Sequence, residues 1–171
     1  VRDIALAIDI EEIRERPLSS LEAALVTTPE RDVGKILLNS RSSSQRRRFS
    51  LGHELLHFLN PDHQQTAPDG FQCSRADMGM STPTKNRHVR QEVEANTFAI
   101  ELLTPQSRLK PFLRSLPDLE QVLKIADEFD ISKEAAARRY VQLHGDCIAV
   151  VFTKEGCFTY AERGKAFPYI E

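Results

Sequence analysis

The chain has 171 residues, of which 40% are hydrophobic and 28% charged, the balance of a soluble globular protein. Its formal net charge of -2 excludes a strongly basic nucleic-acid binder but leaves room for a local basic patch. No apolar run approaches the roughly 20 residues of a membrane helix, and the start at Val1 lacks the layout of a signal peptide. Three irregularly spaced cysteines (Cys73, Cys147, Cys157) make a poor disulfide framework, so we expect a cytoplasmic protein with reduced thiols.

The first forty residues predict a short helix followed by a small sheet of about three strands. Turn-forming residues separate the apolar stretches, and Pro17 interrupts the first strand. The expected elements are a helix over 2–9 and strands at Ile10 to Leu18, Leu21 to Thr27 and Val33 to Leu38.

A basic stretch then leads into an apolar helix. Arg41 to Arg48 is polar and basic, whereas Phe49 to Leu59 is apolar on most faces, which is typical of a core helix. Asn60-Pro61 ends this helix. Residues 61–86 form a long loop rich in Pro, Asp, Gly, Ser and Gln, and such loops are usually functional or disordered.

The second half of the chain is predicted to be helical and to close with a hairpin. The expected elements are helices at His88 to Leu103, Ser107 to Leu116, Leu119 to Phe129 and Lys133 to Leu143, and a hairpin of Cys147 to Thr153 with Cys157 to Ala161. The fold class is therefore α+β, a three-stranded sheet on a helical core, followed by a helix-turn-helix-like segment and a C-terminal β-hairpin. We expect residues 1–106 and 107–171 to pack as one unit.

The apolar helix contains the segment His53-Glu54-Leu55-Leu56-His57. His53 and His57 lie about 40° apart on one helix face, so both imidazoles can reach one zinc ion. Glu54 can accept a proton from a metal-bound water whose pKa the ion lowers. Burial of these three groups without a partner would be costly. The alternative is a core helix whose histidines donate hydrogen bonds to backbone carbonyls.

A catalytic zinc usually has a third protein ligand, and the helix of His88 to Leu103 offers three glutamates. At about 100° per residue, Glu92 falls at the centre of the apolar face, whereas Glu94 and Glu101 fall on the solvated face. A carboxylate buried there needs a compensating charge, which zinc supplies. The alternative is an ion pair between Glu92 and an arginine of the run Arg46-Arg47-Arg48.

Other side chains near these ligands have more than one interpretation. Asn96, one turn beyond Glu92, either orients a metal ligand or bonds to a nearby loop. Cys73 is either a removable thiolate that shields the zinc or an ordinary free thiol. The group that stabilises the oxyanion in the transition state stays open among four candidates. They are His63, His88, His144 and Tyr140.

These residues resemble the ImmA/IrrE family of metallopeptidases. Arg48 to His57 is similar to the family's R-F-x-x-A-H-E-x-x-H helix, and Glu92 to Ala99 to its E-x-x-A-N-x-F-A helix, which ends near L-L-x-P. Gly52 and Thr104 depart from the family's usual Ala and Met, and neither position carries the chemistry.

The resemblance implies a cytoplasmic zinc metalloendopeptidase with His53, His57 and Glu92 as ligands and Glu54 as general base. It also implies that the substrate is a partner repressor of the XRE helix-turn-helix type, whose cleavage relieves repression. Some relatives carry a further sensor-like domain; this chain ends soon after the hairpin, so we expect the compact form. Ligand type alone would also admit manganese or iron.

Leu119 to Leu143 has the pattern of a helix-turn-helix, but DNA reading would need an exposed, basic second helix. With a net charge of -2 the basic footprint is weak, and direct DNA binding is not expected. The competing class of function is a non-catalytic zinc-containing regulator that binds a repressor or DNA without cleaving it.

Overall fold

The computed structural model describes residues 1–82, 84–113 and 116–168. The chain divides into two compact units, residues 1–103 and 104–171. The first contains α1 (Arg2–Leu6), β1 (Ile10–Arg16), β2 (Leu21–Thr27), β3 (Gly34–Asn39), α2 (Ser44–Leu59), β4 (Gly70–Ser74), a 3-10 turn (Asp77–Gly79) and α3 (Arg87–Leu103). The second contains α4 (Gln106–Leu109), a 3-10 turn (Lys110–Leu113), α5 (Leu119–Phe129), α6 (Lys133–Leu143), β5 (Ala149–Lys154) and β6 (Cys157–Arg163).

The sheet of the first unit has four strands in the order β1-β3-β2-β4, so the prediction of three strands is wrong. β1 is parallel to β3, while β2 is antiparallel to both β3 and β4. The missed strand, β4, lies inside the stretch predicted as a loop. It begins at Gly70, where a side-chain carbon would lie 2.0 Å from the carbonyl oxygen of Leu25, so only glycine fits.

Two predicted boundaries differ from the structure for identifiable reasons. β1 ends at Arg16 because Pro17 has no N–H to donate to a neighbouring strand. α2 begins at Ser44 and not at Phe49, because the Ser43 hydroxyl accepts a hydrogen bond from the backbone N–H of Arg46 at 3.2 Å. The basic run therefore forms the first turns of α2.

Helix α2 packs on strands β2 and β3 and also against α3. Gly52 of α2 lies where an added side-chain carbon would be 3.3 Å from Cα and Cβ of Ala99, so the two helices approach closely. This approach brings the polar side chains of both helices together. The surrounding core contains Ala5, Ile10, Ala23, Leu25, Ile36, Leu38, Leu51, Leu55, Phe58, Phe71, Cys73 and Met78.

The second unit contains the predicted pair of helices and the predicted hairpin. Asp118 and Ser132 cap α5 and α6, and α5 ends at Asp130 in the left-handed conformation. The hairpin turns at Glu155 and Gly156, both with positive φ. The predicted helix from Ser107 to Leu116 is instead α4 and a 3-10 turn, with 114 and 115 outside the described residues. None of the described helices has the length and apolarity to cross a membrane.

Candidate metal centre

Four side chains of α2 and α3 converge at the interface of these helices. His53, Glu54, His57 and Glu92 are all 0% exposed. Nε2 of His53 lies 3.0 Å from Nε2 of His57 and 3.1 Å from Oε2 of Glu92. Nε2 of His57 lies 3.5 Å from Oε1 of Glu92. The predicted burial of Glu92 is confirmed, and Glu94 and Glu101 are exposed as the helical wheel predicts.

The tautomer of His53 follows from its contact with Asn96. The Asn96 amide donates from Nδ2 to the carbonyl oxygens of Asp77 at 3.0 Å and Met80 at 2.8 Å, which fixes its orientation. Its Oδ1 therefore faces Nδ1 of His53 at 2.8 Å, and this nitrogen must carry the proton that is donated. Nε2 of a neutral His53 is then left with a free lone pair.

The tautomer of His57 is set by a longer relay, which the sequence did not reveal. Nε2 of His63 lies 3.1 Å from a carboxylate oxygen of Glu94, so that nitrogen donates. Nδ1 of a neutral His63 must then accept from Nδ1 of His57, 2.8 Å away. Nε2 of His57 is left with a lone pair, and burial lowers the pKa of His57 to about 4, which keeps the ring neutral.

Two lone pairs and a carboxylate thus face one another with no proton between them. The 3.0 Å approach of the two Nε2 atoms is consequently not a hydrogen bond, and a cation between them would compensate the facing lone pairs. Ligand atoms at zinc–ligand distances of about 2.0–2.1 Å in a tetrahedral site lie about 3.3 Å apart. The observed separations of 3.0, 3.1 and 3.5 Å fit that requirement. The residues present therefore fit a metal ion.

Both carboxylates of this centre are completely buried. Burial raises the pKa of Glu54 to about 7, against the opposing effects of His53 and the nearby Cys73 thiol. The oxygens of Glu92 face the Nε2 atoms of His53 and His57. Among the described residues, no donor of good hydrogen-bond geometry meets the buried oxygens of either glutamate.

Cys73 completes the group. Its sulfur and one ligand atom each of His53, His57 and Glu92 all lie within 4.8 Å of one another. The thiol is fully buried on β4, and burial, followed by the charges of Glu54 and Glu92, raises its pKa. The alternation of buried Phe71 and Cys73 with exposed Gln72 is the sequence pattern from which this strand could have been predicted. These four residues could together hold a metal ion.

The four candidates for the transition-state group have different surroundings. Nδ1 of His88 lies 3.6 Å from Glu92 and Nε2 lies 3.2 Å from Asp77, and the side chain is 42% exposed. His63 is part of the relay behind His57. Tyr140 and His144 lie in the second unit, where the Tyr140 hydroxyl accepts from the backbone N–H of Asp118.

Arg46 and Arg47, two of the three arginines in the basic run at the start of α2, have partners other than Glu92. Arg46 lies 3.8 Å from Glu22, and Arg47 lies 3.2 Å from Glu15. The contacts around Glu92 are instead with His53, His57 and His88. The arrangement favours a metal over the predicted alternative of an arginine ion pair.

Fold and site together define an α+β domain with a buried group of side chains that could hold a metal ion, among them the two histidines of an H-E-x-x-H segment. The family described as Peptidase_M78, IrrE N-terminal-like domain, matches residues 11–140. The chain belongs to this metallopeptidase family, which confirms the resemblance inferred from the motifs. No curated protein matches the chain significantly.

Proposed function

We propose that this protein is a cytoplasmic, zinc-dependent metalloendopeptidase. His53, His57 and Glu92 are the proposed ligands, and Glu54 is the proposed general base. The observation that carries the proposal is the convergence of two histidine lone pairs and a carboxylate at one buried point. A zinc ion held there would supply Lewis acidity, lowering the pKa of a water molecule and polarising the peptide carbonyl.

The chain's own groups supply the proton transfers and the orientation. Glu54 would accept a proton from the attacking water and deliver it to the leaving amine, a role that suits a buried carboxylate next to the two ligand histidines. Asn96 and His63 hold the two ligand histidines in the tautomer that presents Nε2. His88, half-exposed beside Glu92, is the proposed hydrogen-bond donor to the oxyanion, a role that requires protons on both ring nitrogens because Nε2 faces Asp77.

The proposed substrate is a helix-turn-helix repressor of the XRE type, with cleavage relieving repression. Family membership supports a peptidase, and the motif resemblance supports this class of substrate. The second unit gives little reason to expect DNA as the direct target. Arg139 of α6 is buried and donates to the carbonyl oxygen of Thr104, while Arg138 pairs with Glu134 and Glu162.

Co-expression with the helix-turn-helix repressor encoded nearest to the gene tests this function. The wild-type chain should produce repressor fragments, and a Glu54→Gln variant that still binds metal should produce none. The second candidate function is a regulator that binds the repressor without cleaving it. The complete burial of the proposed ligands is the observation that favours it. Inactivation of the repressor by Glu54→Gln without fragments would establish this second function.

A further inference from the structure

We propose that the thiolate of Cys73 is a fourth metal ligand, which closes the coordination sphere and keeps the peptidase at a low rate by silencing each molecule until the sulfur leaves. The silencing part of this inference rests on the proposed peptidase function. The ligation part rests on geometry alone. A catalytic zinc site keeps one position open for water, whereas a site with four protein ligands is closed.

The position of the thiol is set by the sheet and does not depend on a loop. Cys73 pairs with Ala23 in the ladder between β4 and β2, and the strand starts at the glycine that must approach Leu25. Its neighbour Phe71 stacks on the ring of His57, with ring centroids 4.5 Å apart. The strand that presents the sulfur is therefore packed directly against one of the proposed ligands.

The surroundings of the thiol are those of a ligand position. Its sulfur lies within 4.8 Å of the ligand atoms of His53, His57 and Glu92, and solvent reaches none of them. The carboxylates of Glu54 and Glu92 are buried beside it without donors of good geometry among the described residues. A cation is the group that would satisfy the Glu92 carboxylate and a thiolate together, because a metal deprotonates a coordinating thiol.

The proton that Cys73 loses on binding the metal has an acceptor within this cluster. A metal–sulfur bond forms, the S–H bond breaks, and Glu54, the carboxylate beside the thiol, accepts the proton. Any water in the fourth position leaves. In that state the proposed base is already protonated and the position needed by the attacking water is filled. Hydrolysis then requires the sulfur to leave, with Glu54 returning the proton to the thiol.

X-ray absorption at the zinc edge of the full-length protein tests the ligation. We expect one sulfur at about 2.3 Å together with nitrogen and oxygen ligands at about 2.0–2.2 Å. The double variant Cys147→Ser/Cys157→Ser is the matched control, because it removes only exposed thiols and should keep the sulfur signal. Cys73→Ser should lose it. A wild-type zinc shell of nitrogen and oxygen alone overturns the proposal, whether or not Cys73→Ser folds.

Initial rates of repressor cleavage test the silencing. Cys73→Ser, with Cys73→Ala as a second variant, should cleave faster than wild type, while the Cys147→Ser/Cys157→Ser control should not. An unchanged or lower rate in folded, zinc-loaded Cys73 variants overturns the silencing. A zinc–sulfur signal without cleavage by any variant refutes the peptidase and leaves the ligation standing. Glu54-dependent cleavage with no zinc–sulfur signal refutes the ligation and leaves the peptidase standing. A protein that binds no zinc refutes both.

Discussion

The helix pairs α2–α3 and α5–α6 are built on opposite principles. At the close contact of Gly52 with Ala99, α2 and α3 bury ionisable groups from both helices. In contrast, α5 and α6 bury hydrocarbon and leave their charged side chains largely at the surface. The buried apolar residues of this segment are Val122, Ile125, Ala126, Phe129, Ile131, Ala136, Ala137, Tyr140 and Val141.

The two helix pairs therefore differ in what stabilises them. Apolar burial stabilises α5–α6 without any added component, because the driving force is the removal of hydrocarbon from water. Buried lone pairs and carboxylates oppose folding until a cation compensates them. We therefore expect the stability of α2–α3 to depend on metal, and that of α5–α6 to be independent of it.

Glu92→Gln should produce the largest effect, because it removes the only carboxylate among the three proposed ligands. Loss of a buried charge partner costs about 3–5 kcal/mol, so zinc affinity should fall more than about a hundredfold. The matched control is Glu101→Gln, which removes the same charge from the exposed side of α3. Competition with a chromophoric chelator measures both affinities. Equal affinities in the two variants would remove Glu92 from the site.

Ile125→Ala probes the pair α5–α6. Its loss of stability should be similar in size to the effect of Glu92→Gln but independent of zinc. Ile125 is fully buried, and truncation of such a side chain costs about 2–5 kcal/mol. Leu123→Ala, at a position 44% exposed on the same helix, should change stability by less than about 1 kcal/mol. Urea unfolding with zinc and with a chelator measures both. A loss from Ile125→Ala that appears only when zinc is removed would contradict the comparison.

Asn96→Ala should weaken metal binding to a smaller extent. The variant removes the acceptor that keeps the proton on Nδ1 of His53, and such partners are worth about 10–100-fold in metal affinity. Thr97→Ala is its control, since the Thr97 hydroxyl donates within the helix, to the carbonyl oxygen of Val93. Zinc titration measures the affinity of both variants, and only Asn96→Ala should bind zinc more weakly than wild type. An Asn96→Ala protein with unchanged affinity would show that the amide has no part in orienting His53.

Gly52→Ala should have the smallest effect. The added carbon would meet Ala99 at 3.3 Å, a tight contact that a small shift of α3 can relieve. The gain in helix propensity, about 1 kcal/mol, offsets that contact. Thermal unfolding should therefore show a change within about 1 kcal/mol. Gly52→Val should cost about 1–3 kcal/mol, because its branches cannot be accommodated by the same shift. A severe loss in Gly52→Ala would mean that the two helices cannot separate at all.

Helical periodicity accounts for most of what could be predicted. It brought His53, Glu54 and His57 onto one helix and separated buried Glu92 from exposed Glu94, as the structure shows. These are local properties, since positions three and four apart share a helix face whatever the tertiary structure. The same periodicity brings Arg90 within 3.9 Å of Glu94, four residues further along α3.

The features that could not be predicted depend on contacts distant in sequence. β4 is five residues long within a polar stretch, and only its pairing with β2 makes it a strand. The same pairing brings Cys73 to the candidate metal centre. Because the sequence does not reveal this pairing, it left both interpretations of Cys73 open. The relay from His57 to His63 and Glu94 joins two helices through a loop residue, so no periodicity reveals it.

The burial of the proposed ligands also bears on how fast a metal could enter or leave. Solvent cannot touch His53, His57, Cys73 or Glu92, so a chelator cannot attack an ion held by them while the protein stays closed. Exchange would have to wait for a local opening of the chain. The lifetime of the loaded protein would then be limited by its own fluctuations, and beyond a saturating concentration more chelator would not shorten it.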